Sequence, residues 1–376
     1  MKQEVAVIGG GIAGASAAYS LAKTGVFDRV ILLEAESQLA QHTTGRSAAM
    51  LTENYGAGPV RPLTTASLDF LHNPPSDLVD SALLEPRGVM TVAGPDGGEE
   101  LDVMLIEGQV ATHAIVEIDV DEARSRAPHI RFTPEHRVMW EEHAFDIDVA
   151  ALHQAFIRGL RANGGEIATS RRVDSARPDG DRWTLDTTQG SMCADVLVNA
   201  AGAWGDIVAQ GAGVRPIGLQ PKRRTAFMVK SPFDDSPAYP FVVGAMHDWY
   251  LRPDGSQFMC SPADEVPSAP CDARAEEIDI ARTIDLLNEN TFLEIRAITS
   301  NWAGLRTFSP DRAMVVGPEP EQSNFIWCVG QGGTGIQTAP GAGQLVADLI
   351  TRGEVGAQFD ETGLELAGLL PDRFRS

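Results

Sequence analysis

Arg224 and Arg306 are the side chains in this sequence best suited to recognising a small anion. Lys222-Arg223-Arg224 is its densest basic stretch and leads into the apolar run Thr225–Val229, while Arg306 follows Trp302-Ala303-Gly304-Leu305. A guanidinium leaving water needs a partner, because an unpaired buried charge is strongly destabilising. A substrate carboxylate held by two parallel N–H···O bonds would serve. So would the protein's own acids, and the residues alone favour that plainer pairing. Tyr55 and Tyr250 are two of four tyrosines; a phenol donates to a carboxylate or accepts from an amine, and equally fills a core with one hydrogen bond. The eight histidines show no His-x-x-x-His spacing and there is no Gly-x-Ser-x-Gly elbow, which sets metal hydrolysis and serine chemistry aside.

A second chemistry is written in glycine. Gly9-Gly10-Gly11-Ile12-Ala13-Gly14 fits G-x-G-x-x-G between a strand and a helix. Gly9 makes the tight turn, Gly11 admits a pyrophosphate to the backbone, and Gly14 lets helix and strand pack closely. The helix N-terminus then offers unpaired N–H groups to phosphates. Glu34, twenty residues past Gly14 at the end of the next strand, is placed to accept from both ribose hydroxyls, which disfavours a 2′-phosphate and hence NADP. Near the other terminus, Gly330-Gln331-Gly332-Gly333-Thr334-Gly335-Ile336-Gln337-Thr338 lies between a strand and a helix with no Walker lysine. Backbone this bare suits close approach to a flat ligand; a loop glycine-rich for turn geometry alone is the equal alternative.

The elements that must position these groups follow from periodicity. Val5–Ile8, Ala13–Thr24 and Val30–Leu33 read as a βαβ start. Beyond Gly45 the pattern weakens, with Gly88–Ala93 and Val110–Ile118 strand-like. Val149, Leu152, Phe156, Ile157 and Leu160 give a helix one apolar face, capped by Asp146 or Asp148 and stopped at Asn163-Gly164-Gly165. Strands are predicted near Ile167, at Trp183–Thr187 and at Ala194–Ala200, with a hairpin turn at Asp179-Gly180. Lys222–Pro310 is strand-rich around one acidic helix, Ala275–Asn290, before a strand Phe325–Val329 and a helix Gly341–Ile350. The dinucleotide style at both ends and in the middle predicts one nucleotide domain interrupted by another.

Length and charge bound the rest. The 376 residues carry a net charge of −22, with 43% apolar, so two or three domains are expected and nucleic acid or an anionic membrane is disfavoured as a partner. No uncharged run is long enough to cross a membrane, and no signal peptide is read at the N-terminus. Cys193, Cys260, Cys271 and Cys328 form no Cys-x-x-Cys pair, which predicts a cytoplasmic setting.

Taken together, the motifs resemble the FAD-dependent D-amino-acid oxidase superfamily, and within it the bacterial D-arginine dehydrogenases. The landmarks are the glycine hexad, Thr44-Gly45-Arg46-Ser47-Ala48-Ala49, Asp146-Ile147-Asp148, Val196 through Trp204, Leu219 through Arg224, Trp302 through Arg306, and Gln331 through Thr338. The resemblance implies an α/β fold: an interrupted Rossmann-like FAD-binding domain (1–85, 141–220 and 305–376) and a mixed-sheet substrate domain (86–140 and 221–304). It implies FAD held without a covalent link by Gly9, Gly11, Ile12, Ala13, Gly14, Glu34 and Ala35. Thr44, Gly45, Arg46, Ser47, Ala48, Ala49 and Met50 would run beside the flavin, and Val173 would meet the adenine. Ala201, Gly202, Trp204 and Gly304 would complete the wall. Gly332, Gly333, Thr334, Gly335, Ile336, Gln337 and Thr338 would cradle the pyrimidine end.

By the same resemblance Arg224, Arg306 and Tyr250 would hold a substrate carboxylate, and Tyr55 with the Gly333 carbonyl would face the amine. Thr52, Val89, Val243 and Gln337 would line the side-chain pocket. Hydride transfer from Cα to the flavin would follow, with the imine hydrolysing to a 2-oxo acid and ammonia. D-Arginine dehydrogenases hold the distal guanidinium with a glutamate where this chain has Val89. The expected substrate is therefore a small zwitterionic D-amino acid with a neutral, apolar side chain, unless Glu53 or Glu85 turns inward. An N-alkyl or cyclic amino-acid oxidase and a non-catalytic flavin-binding subunit are the competing expectations. The electron acceptor is left open between oxygen and a quinone-like molecule.

Overall fold

The computed structural model describes residues 3–56 and 58–375. Its parallel core is the sheet whose strands run, side by side, Val315–Glu319, Gln322–Val329, Val196–Asn199, Glu4–Ile8, Arg29–Leu33 and Glu166–Ala168. Only the first pair is antiparallel. Glu4–Ile8 lies at the centre, parallel to both neighbours, and its Val5, Ala6 and Val7 are wholly buried, as expected of a strand covered on both faces. Helix Ile12–Lys23 packs on it between helices Val149–Ala162 and Ala339–Thr351. Small residues allow this closeness: a Cβ on Gly343 would stand 2.6 Å from the Ser16 carbonyl carbon. Asp148 caps the Val149–Ala162 helix by accepting from the Ala151 N–H at 2.8 Å.

The second sheet is antiparallel except where Phe241–Gly244 runs parallel to Val89–Ala93. It proceeds from Ser300–Phe308 through Gln220–Lys230, Gln257–Ser261, Tyr250–Asp254, Phe241–Gly244, Val89–Ala93 and Arg137–Glu141 to Val116–Ile118. One face packs helix Glu277–Asn290 in its own core of Met90, Val242, Phe227, Leu251, Phe258 and Leu287. The opposite face carries Arg306 and Gly304, then Arg224 and Ala226, Tyr250, Val243, Val89 and Glu141. The pairings Arg224↔Gly304, Val243↔Tyr250, Phe241↔Val89 and Val89↔Glu141 fix that assignment.

Three sequence expectations change. Ala194–Ala200 is two strands: Gly190–Ala194 closes a three-stranded meander and Val196–Asn199 joins the parallel sheet. Asp195 lies between them, its carboxylate accepting from the Glu4 N–H at 2.7 Å. Val110–Ile118 is strand only from Val116, because helix Gly98–Glu107 and a 3-10 turn precede it. Helices Gly98–Glu107 and Arg61–His72 are absent from the periodicity reading. Only Leu101 of the first is buried, so its apolar stripe is too short to register. The expected domain limit between residues 304 and 305 falls inside one continuous strand, Ser300–Phe308.

Candidate active site

The cleft between the two sheets begins at the glycine turn. Gly9 has φ +111°, and a Cβ there would strike the Ala200 carbonyl; one on Gly14 would strike the Gly9 carbonyl. Both positions therefore demand glycine. The Glu34 carboxylate accepts from the N–H of Gly10 at 2.7 Å and of Glu36 at 2.9 Å. Thr44 Oγ1 accepts from the Ile12 N–H at 3.0 Å, where the helix begins. His153, absent from the sequence reading because it sits on an apolar helix face, is buried with its Nε2 3.0 Å from the Gly10 carbonyl. Burial holds its pKa below the ordinary imidazole value, so a neutral ring donates there.

Segment 43–48 is stitched to the second sheet. Thr43 Oγ1 donates to Leu305 O at 2.8 Å, Arg46 Nη1 to Ala303 O at 2.8 Å, and Trp302 Nε1 to Arg46 O at 3.2 Å. Arg252 Nη1 reaches Ala48 O at 2.9 Å. Arg46 is thus anchored on carbonyls and Asp272. The sheet face with the arginines closes the cleft from the other side.

Arg306 donates from Nη1 to the Tyr55 hydroxyl at 2.9 Å, and it forms no ion pair among the described residues. Arg224 donates from Nε to the Asp264 carbonyl at 2.8 Å, and the one carboxylate within ion-pair distance among the described residues, that of Glu265, lies 3.6 Å away. That acid is shared with Lys222 at 2.8 Å and Arg312 at 2.9 Å, and the Arg312 hydrogen bonds hold its carboxyl down to about 2. Burial, and after it the adjacent Arg306 charge, holds the Arg224 guanidinium below its ordinary pKa. Arg223 is the opposite case: it pairs with Asp264, Glu276 and Asp279. The pleat separates structural from available cations within one basic triplet.

Gly333 completes this corner, since a Cβ there would lie 2.5 Å from the Tyr55 hydroxyl and 3.1 Å from Arg306 Nη1. Tyr250 stacks on Phe241 at 5.3 Å between centroids, with the Arg224 guanidinium 6.0 Å from its ring. Gln337 is buried. Its amide nitrogen donates to the carbonyls of Thr52 (3.2 Å) and Tyr55 (3.3 Å) and to Thr64 Oγ1, while its oxygen accepts from the Thr52 N–H. It therefore holds the turn that presents Tyr55.

The cleft encloses about 920 Å³ of space free of protein atoms, mouth included. Of the residues expected from the sequence it brings together Gly11, Ile12, Ala13, Thr44, Arg46, Ser47, Ala48, Gly202, Arg224, Tyr250, Gly304, Arg306, Gly332, Gly333, Gly335 and Ile336. Thr43, Ala200, Ala226, Leu305, Thr307 and Gln331 also line it; all but Ala226, which lies two residues beyond Arg224, are adjacent to expected residues. Gly9, Gly14, Ala49, Met50, Ala201, Trp204, Thr334 and Thr338 are not among the residues lining it. Ala35 and Gly45 are exposed. Val173 lies two residues beyond Arg171, whose N–H donates to the Glu34 carbonyl.

Of the two acids weighed for the side-chain pocket, Glu85 is exposed, and Glu53 turns to the Thr112 N–H at 3.0 Å and His113 at 3.4 Å. The acid that does face Val89 is Glu141, which the sequence reading missed. It is 5% exposed, directly opposite Val89, and receives the Thr52 hydroxyl at 2.7 and 2.8 Å.

A parallel nucleotide sheet whose first helix opens on the same cleft as paired arginines defines a dinucleotide-dependent oxidoreductase. The chain belongs to the FAD dependent oxidoreductase family, DAO, whose model matches residues 4–349. FAD-dependent oxidoreductase domain-containing protein 1 of Bos taurus is 24% identical over 94% of this chain and 82% of its own length. Glycine oxidase of Geobacillus kaustophilus is 22% identical over 94% of both. The crystal structure of L-proline dehydrogenase from P. horikoshii superposes with a TM-score of 0.82 at 20% identity, covering 100% of this chain and 98% of that one. The protein is therefore an FAD-dependent flavoprotein oxidoreductase. Its cleft fits FAD: glycines that tolerate no Cβ, a helix N-terminus lining the cleft and the Glu34 carboxylate suit a pyrophosphate and ribose. No described helix is long and apolar enough to cross a membrane.

Proposed function

We infer that the protein oxidises D-amino acids with neutral side chains at the Cα–N bond, releasing a 2-oxo acid and ammonia after the imine hydrolyses. The observation that carries this reading is Arg306, a half-buried cation in the cleft wall that donates to a phenol and forms no ion pair among the described residues, beside an Arg224 that is only loosely paired. A substrate carboxylate is the group such a pair lacks. FAD, when bound, supplies the two-electron acceptor for the Cα hydride. Arg224 and Arg306 fix the carboxylate, so one Cα–H is aimed and the bimolecular step becomes effectively intramolecular. The Tyr55 hydroxyl and Gly333 carbonyl meet the amine, which enters neutral and loses one N–H proton to water as the C=N bond forms. Val89, Val243 and Phe241 offer an apolar wall to the side chain.

This reading assigns FAD to the parallel-sheet unit and the substrate to the second sheet, with a small electron acceptor as the remaining partner. Four free thiols support a reducing, cytoplasmic setting. The finer likeness to D-arginine dehydrogenases rests on the motifs. Glycine oxidase and L-proline dehydrogenase among the relatives favour a second reading, an N-alkyl or cyclic amino acid as substrate. Anaerobic addition of D-leucine, D-methionine, L-leucine, sarcosine and L-proline separates the two. Bleaching of the flavin by the D-amino acids with stoichiometric ammonia supports the first reading. Bleaching only by sarcosine or proline defeats it, and a flavin that stays yellow with every compound points to a non-catalytic subunit.

A further inference from the structure

His153 is only 3% exposed, on the inward face of helix Val149–Ala162, and its imidazole serves one backbone carbonyl of the glycine turn. A carbonyl oxygen only accepts, so the ring proton sits on Nε2 and is donated to Gly10 O at 3.0 Å. The Ala40 N–H donates to the same oxygen at 3.2 Å. Two donors, one from a helix and one from the loop after strand Arg29–Leu33, therefore hold this carbonyl. A peptide unit is planar and trans, so its N–H points opposite to its C=O. Fixing the Gly10 carbonyl on His153 thus turns the Gly11 N–H the other way, and Gly11 is a residue of the cleft wall. That N–H meets no protein acceptor among the described residues. The next one along, of Ile12, is already spent on Thr44 Oγ1 at 3.0 Å.

We propose that His153 is a positioning residue for the flavin: through the Gly10 carbonyl it holds the Gly10–Gly11 peptide with its N–H turned to the FAD pyrophosphate. The inference concerns capture of the cofactor and stands apart from the choice of amine substrate. A peptide between two glycines is the easiest to turn over, because neither residue has a Cβ to restrict its backbone angles. Left free, this one would present its carbonyl to the cleft as readily as its N–H, and a carbonyl oxygen repels a phosphate where an N–H binds it. His153 supplies the bias from behind, while the Glu34 carboxylate fixes the preceding peptide through the Gly10 N–H at 2.7 Å. Packing alone does not call for an imidazole here. Leu152, Phe156, Ile157 and Leu160 of the same helix are buried and apolar, and a further apolar residue would avoid the desolvation that holds the His153 pKa below its ordinary value.

The test compares His153→Leu with His153→Gln in the full-length flavoprotein. A glutamine amide nitrogen falls near the place of Nε2 and can donate to the same carbonyl, which leucine cannot. Circular dichroism of His153→Leu should match the wild type, since Ala40 still serves the Gly10 oxygen and no buried acceptor is stranded. Its Kd for FAD, read from flavin fluorescence as the holoprotein is diluted, should rise about tenfold, the low end for losing one hydrogen bond to a charged group. Phosphorus NMR of the bound pyrophosphate should show displaced resonances. His153→Gln should return Kd to within threefold of wild type and restore the resonances. A Kd for His153→Leu within threefold of wild type, unmoved phosphorus resonances, or an equal loss in His153→Gln each overturns the proposal. If the leucine variant fails to fold, His153→Asn, whose amide is too short to reach Gly10, makes the same comparison against glutamine. None of these measurements involves turnover, so failure of the D-amino-acid reading leaves them untouched.

Discussion

Replacing Arg306 by Met separates a clamp from a structural cation. In the folded protein this guanidinium meets the Tyr55 hydroxyl and no acid, so its removal leaves no carboxylate stranded. Stability should change little, because the guanidinium is half-buried and holds no ion pair among the described residues. With substrate bound the case reverses: the carboxylate loses one of its two arginines inside a desolvated cleft. Breaking a buried charge pair costs about 3–5 kcal/mol, which at about 1.36 kcal/mol per decade is a loss of roughly two to nearly four orders of magnitude in kcat/KM. Arg223→Met provides the internal contrast, since it strands Asp264, Glu276 and Asp279. A penalty of about 3 kcal/mol spread over a chain of this length lowers Tm by roughly 4 °C, with kcat/KM little changed. Stopped-flow reduction of the flavin by D-leucine gives the rates, and thermal unfolding followed by flavin release gives Tm. If Arg306→Met melted several degrees early and kept kcat/KM within threefold, the arginine would be a structural ion and the clamp argument would fail.

Other outcomes follow from the same geometry. Gly14→Ala should purify largely free of flavin, because its Cβ collides with the Gly9 carbonyl and displaces the pyrophosphate turn; a full flavin complement in that variant would contradict the packing. Gly333→Ala should retain FAD yet lose at least tenfold in kcat/KM, since the methyl meets the Tyr55 hydroxyl and Arg306 together. Tyr55→Phe removes one hydrogen bond to a charged donor, about 1.5–3 kcal/mol, and kcat/KM should fall accordingly with flavin content unchanged. Glu141 also links stability to pH. Its folded pKa of about 7 is raised by burial, so its contribution is complete below the ordinary carboxylate range and fades as pH rises toward 7. Relative to Glu141→Gln, the wild type should lose about 3 kcal/mol of stability between pH 4.5 and 8. A difference that stays constant across that range means the acid is not desolvated. Thr52→Val, which deletes the hydrogen bond favouring the ionised form, should move the same transition to higher pH.

Local pattern was enough for the nucleotide half. The glycine hexad, the strand on each side of it and Glu34 are contiguous or separated by a single helix, so their physical tasks are fixed by short-range spacing alone. The same holds for the Asp148 cap and the stop at Asn163 of helix Val149–Ala162. The helices Arg61–His72 and Gly98–Glu107 were illegible because they bury short stripes and begin without a capping side chain. Resemblance supplied Arg224, Arg306, Tyr55 and Tyr250 as a set. Composition had favoured salt bridges for the arginines, and for Arg223 that plain reading is correct.

What the chain order could not contain is which charges are left over. Lys222, Arg223 and Arg224 are consecutive, yet alternation along one strand and pairing with residues 304–306 turn Arg223 to three acids and leave Arg224 beside Arg306. Glu141 is a still plainer case. In sequence it is one acid among 52, and only the strand register sets it opposite Val89 on the sheet face that carries the arginines. Sequence thus determined the dinucleotide turn, because a backbone that tolerates no Cβ must be spelled with glycine. Tertiary structure decided the substrate end, because a charge gains its meaning from partners brought close by strands far apart in the chain.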